Sequence, residues 1–97
     1  MNNISICIPK VHRKYDNKWI FQIINKYKIG KIKIIHIIPY QNSNYFNKII
    51  IDFEYWNITK KNMSIYNHMD DGGTIKIIYD EPWFWKCFKY SMSDNSV

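Results

Sequence analysis

Phe46-Asn47-Lys48-Ile49-Ile50-Ile51-Asp52-Phe53-Glu54-Tyr55 is the stretch on which the fold turns. Ile49, Ile51 and Phe53 alternate with Lys48, Ile50 and Asp52, a period of two that sends one set toward a core and the other outward from a β-strand. Upstream, Lys31 to Pro39 is too rich in β-branched Ile to prefer a helix and is bounded by Gly30 and Pro39, so it reads as a second strand. The polar turn Tyr40 to Asn44 would join the two as a hairpin. Before it, Asp16 can cap a helix over about 16 to 28, where Trp19, Ile20, Ile23, Ile24 and Tyr27 recur at helical spacing and Gly30 marks the stop. Ile4 to Ile8 alternates as a first strand and ends at Pro9, and the loop Lys10 to Tyr15 follows. Downstream of the hairpin, Thr59 or Asn57 caps a second helix carrying Met63, Tyr66, Asn67 and Met69. Asp70-Asp71-Gly72-Gly73 then turns the chain into a fourth strand, Thr74 to Tyr79. The aromatic run Trp83 to Tyr90 reads as an extra strand or a sheet-covering tail. One domain over 1–90 and a frayed tail over 91–97 are expected.

Composition constrains class more than function. The 97 residues include 20 Ile, 13 Lys and 11 Asn but no Leu or Ala. Packing does not ask for that skew, and AT-rich codons explain it, so the formal charge of +6 is weak evidence by itself. With 46% hydrophobic and 18% aromatic residues the chain is globular rather than disordered. It has no apolar run near the length of a membrane span and no secretory leader pattern, which predicts an intracellular protein with no membrane partner. Cys7 and Cys87 lie far apart without metal-ligand or redox spacing and are expected to be reduced and packed. His12, His36 and His68 lack ligand partners at metal spacing, and no Gly-rich phosphate loop occurs, so neither catalysis nor a cofactor is expected.

The order β-α-β-β-α-β with Ile29-Gly30-Lys31-Ile32 leading into aliphatic alternation resembles the RNA recognition motif over about residues 4 to 80. The whole pattern, including Asp80-Glu81-Pro82-Trp83-Phe84-Trp85-Lys86, is also similar to small single-domain proteins of this type from large DNA viruses. The resemblance implies an α+β, ferredoxin-like βαββαβ sandwich, with a four-stranded antiparallel sheet, two helices on one face and a C-terminal aromatic extension. It also implies RNA as partner. That family stacks bases on aromatics of its first and third strands. Here those positions hold Ser5, Lys48 and Ile50.

Any affinity for RNA or another single strand must therefore come from elsewhere. Residues 1–40 hold 8 Lys or Arg against one Asp, and residues 41–97 hold 6 against 7 acidic groups. Lys10, His12, Arg13 and Lys14 fall in the loop beside the expected nucleic-acid face. Lys31, Lys33, His36 and Lys48 extend the basic surface across the strands. Trp83-Phe84-Trp85 has three readings: packing over the sheet, a relocated stacking platform with Lys86, or an anchor for a protein partner. In a strand Trp83 and Trp85 share one face while Phe84, Lys86 and Phe88 share the other. The outer face is partly apolar, so the alternative to nucleic-acid binding is a protein-interaction module or a homodimer through that face.

Overall fold

The structure, a computed structural model, describes residues 4–90; the expected 91–97 tail lies outside them. The elements are β1 (Ser5–His12), α1 (Asn17–Lys26), β2 (Gly30–Pro39), β3 (Phe46–Trp56), α2 (Lys60–Asp70), β4 (Ile75–Asp80) and β5 (Trp83–Tyr90). They form an α+β fold whose antiparallel sheet has five strands in the order β2-β3-β1-β5-β4.

The fifth strand corrects the four-stranded expectation. Of the two readings of the aromatic run, the extra strand holds and the cover over the sheet does not. The run pairs with β1 through Ser5–Tyr90, Ile6–Lys89 and Cys7–Phe88, and β4 is displaced to the outside as its hairpin partner. Alternation explains why β5 belongs inside a sheet: Trp85 and Cys87 point inward and are buried, while Phe84 and Lys86 are exposed.

β1 also runs further than expected. Pro9 lacks an N–H, and the register between β1 and β3 shifts between Ile8 and Val11, a bulge that lets the strand continue to His12. Lys10 and His12 thus lie on a strand and not in the loop.

The core follows the predicted faces. Ile6, Ile8, Ile49 and Ile51 are fully buried against Ile20, Ile24 and Met69 of the helices. Each such side chain contributes about 1.5–3 kcal/mol of transfer free energy. Asp16 accepts from the Trp19 amide at 2.9 Å and caps α1, and Thr59, one of the two expected caps, accepts from the Asn62 amide at 3.1 Å. The α1 exit differs from expectation. Lys28, at φ 53°, takes the left-handed conformation, and Gly30 opens β2 instead. Gly30 is there for space: a Cβ would stand 2.1 Å from the Tyr55 carbonyl oxygen. In α2 the buried polar residue is Asn62, not Asn67. Its amide donates to the carbonyls of Lys28 at 3.0 Å and Asn57 at 3.2 Å, tying the second helix to the junction between α1 and β2.

Both terminal strands are held by side chains from the α1 segment. Asn17 donates to the Ile35 carbonyl of β2 at 3.5 Å. On β4, the Tyr27 hydroxyl accepts from the Ile78 amide at 2.7 Å and donates to the Ile78 carbonyl at 3.1 Å. These bonds occupy backbone groups that an open edge would offer to another chain.

Candidate nucleic-acid interface

The register assigns the side of the sheet opposite the helices. With Ile6 and Ile8 inward, Ser5 and Cys7 face out; beyond the bulge, buried Val11 sends Lys10 and His12 out. On β3 the outward set is Phe46, Lys48, Ile50 and Asp52, and on β2 it is Ile34, His36 and Ile38. On β5 it is Phe84, Lys86, Phe88 and Tyr90, paired in part with Lys76 and Ile78 of β4. One row across four strands runs His36, Ile50, Cys7, Phe88, and its centre, Ile50, is only 5% exposed.

Phe84 and Phe88 stand on β5, beside the strand that carries Ser5 and Cys7. Each outer-face phenylalanine has a lysine over its ring: Lys10 over Phe46 at 4.6 Å, Lys76 over Phe84 at 4.7 Å and Lys86 over Phe88 at 5.6 Å. His12 meets Phe46 edge-on at 5.8 Å.

The carboxylates of this region are already engaged. Asp52 accepts from the Ser5 hydroxyl and sits 2.8 Å from His36 Nε2, and Glu54 sits 3.2 Å from Lys31 Nζ. Burial would raise the Asp52 carboxyl, but the hydrogen bonds from Ser5 and His36, with the charges of His36 and Lys33, outweigh it and hold the group below its ordinary value. Among the described residues no ion pair involves Lys10, Lys48, Lys76 or Lys86. The face therefore carries a one-sided positive field next to apolar rings.

The expected site residues divide into two groups. Lys10, His12, His36, Lys48 and Lys86 come together on the outer face, with Lys33 at the bulge where it acts on Asp52. Arg13 instead donates to the carbonyls of Ser43 at 3.0 Å and Tyr40 at 3.4 Å, and Lys14 lies over Tyr15 at 5.1 Å. Lys31 is drawn to Glu54. Trp83, the first residue of β5, is 64% exposed.

Trp85 is removed from the site. It is 3% exposed on the helix side, stacked on Tyr79 at 4.6 Å and edge-on to Tyr15 and Trp19 at 6.2 and 6.1 Å, so it has no free face for a base. This four-ring cluster, completed by the Tyr15–Trp19 stack at 4.0 Å, fastens the start of α1 to the β4–β5 hairpin. Phe46, Lys76 and Tyr90 join the face without having been singled out. Strand parity was the signal available for Phe46, since it shares the phase of Lys48 and Ile50.

Burial raises the Cys7 thiol against the lowering influence of Lys48, and it pushes Cys87 up to about 12, so neither is a thiolate nucleophile at neutral pH. Among the described residues no three His, Cys, Asp or Glu side chains gather into a metal-binding group, and no helix is long and apolar enough to cross a membrane. Compared with known proteins, the chain matches no family model, no curated protein and no solved structure.

Proposed function

We propose that this chain binds single-stranded nucleic acid, RNA by the family resemblance, across the outer face of its sheet. The chain path supports the finer fold reading: β5 occupies the slot that the last strand of a ferredoxin-like βαββαβ unit takes beside the first, and β4 is an added hairpin arm. The observation that carries the function is the interleaving of Phe46, Phe84 and Phe88 with Lys10, Lys76 and Lys86, each pair within 4.6–5.6 Å on one face. Rings supply stacking surface indifferent to base identity, and ammonium groups meet the phosphates between successive bases.

Fluorescence anisotropy with a labelled octauridylate and its deoxy counterpart tests the reading. Binding at about 50 mM salt that weakens steeply by 200 mM is expected, with the ribose form bound at least as well. Absence of binding by both at the lower salt refutes it.

Exposed Ile34, Ile38 and Ile78 on the same face favour a second reading, a second copy or another protein docked there. Against a face-to-face pair of identical copies stands the charge: two surfaces bearing Lys10, Lys48, Lys76 and Lys86 would oppose like charges. Light scattering tests the self-paired form, which a mass that stays monomeric at high concentration excludes.

A further inference from the structure

A cleft of about 470 Å³ opens where the end of β1, the start of β3 and the loop between β2 and β3 meet, lined by Pro9, Lys10, Tyr40, Asn42, Ser43 and Phe46. Its volume lies within the roughly 300–1,000 Å³ of small-molecule sites. The outer wall is a polar loop with no buried side chain of its own, yet it is fastened to β1 from several directions. Arg13 donates through its guanidinium to Ser43 and Tyr40 and through its backbone to the Tyr45 carbonyl at 2.8 Å. The Tyr40 hydroxyl donates to the Pro9 carbonyl, and the Tyr45 amide donates to Ser43 Oγ at 3.2 Å. A wall held this way loses little freedom when a ligand enters.

The floor is the Phe46 ring. His12 abuts it edge-on, and the long stem of Lys10 holds an ammonium 4.6 Å over it. That ammonium covers one face of the ring from the end of a flexible four-carbon stem. Asn42 brings an amide with both donor and acceptor atoms, and Ser43 brings a hydroxyl, while among the described residues no carboxylate lines the space. An aromatic floor, a movable cation, a two-way hydrogen-bonding amide and no negative charge suit an aromatic anion better than a cation or a lipid.

We propose that this cleft takes one nucleotide of the bound strand, its base on Phe46 in the place Lys10 now covers and its phosphate on the displaced Lys10 ammonium. The proposal rests on the reading of the outer face as a single-strand surface, and extends it to a discrete pocket at one end. The test is an amide-shift titration of nitrogen-labelled protein with octauridylate, together with its binding to Phe46→Leu and Lys10→Gln.

Shifts at Lys10, Asn42, Ser43 and Phe46 are expected in addition to shifts along Phe84 to Tyr90, with affinity falling about five- to tenfold in Phe46→Leu. Lys10→Gln, an exposed change that leaves the floor intact, is expected to weaken binding as well and keeps the test valid should Phe46→Leu not fold. Shifts along β5 with the cleft unmoved overturn the pocket and leave the strand reading standing; unchanged affinity in Lys10→Gln and in folded Phe46→Leu overturns the pocket and takes Lys10 and Phe46 out of the strand surface. An octauridylate that moves no amide overturns both.

Discussion

Lys86→Gln isolates one cation of the proposed interface. The outer face presents Lys10, Lys48, Lys76 and Lys86 free of ion pairs among the described residues. If each neutralises one phosphate, the slope of log affinity against log salt is about −2.8, from about −0.7 per contact on a single strand. Between about 50 and 200 mM salt, the wild type then loses roughly fiftyfold in affinity. Lys86→Gln removes one contact, so its slope falls to about −2.1 and its loss to roughly twentyfold. Packing should tolerate the change, because Lys86 is exposed and its neighbour Phe88 keeps its place on β5. The assay is anisotropy with labelled octauridylate over a salt series, with Lys61→Gln on α2 as a control away from this face. A slope that Lys86→Gln leaves unchanged, or that the control lowers equally, refutes the assignment of phosphate contacts to the sheet face.

Three further outcomes follow from the packing. Trp85→Ala should lower unfolding free energy by about 3–5 kcal/mol in urea denaturation, because it empties the centre of the four-ring cluster, whereas Trp83→Ala should change it by about 0.5 kcal/mol or less. Gly30→Ala should cost about 1–3 kcal/mol by the same measurement, since the new Cβ meets backbone atoms of Tyr55 and Trp56 that cannot rotate away. The Asp52 carboxyl is held below its ordinary value when folded, so its stabilisation is full at neutral pH and is lost as pH falls through the folded value. Asp52→Asn should remove that acid-side dependence below about pH 4 in thermal melts, and with the side chain 36% exposed, screening keeps the effect under about 1 kcal/mol.

The alternation in β3, the helical spacing of Ile20, Ile23 and Ile24, and the Thr59 cap were legible because they depend on neighbours within a few positions. The full course of β1 was not, since Pro9 reads locally as a terminator and only the bulge opposite β3 lets the strand pass it. Locally Gly30 marks a helix stop; the close approach of the Tyr55 carbonyl that requires a glycine there comes from the paired strand β3. Within the candidate site, the parity of β5 was legible, but not which side faced the helices. Trp85 and Phe84 exchange roles if β5 is turned over, and that choice was made by Tyr15, Trp19 and Tyr79.

By itself, the sequence determined the α+β class, the inward phases of β1 and β3, and a basic first 40 residues. Those follow from local periodicity and from charge that no folding can alter. The tertiary structure decided that the sheet has five strands, that β5 lies beside β1, and that Phe84, Phe88 and four lysines share one face while Trp85 belongs to the core. The reason is that strand pairing and facing are properties of residues far apart in the chain, selected by which combination buries the most ring and isoleucine surface.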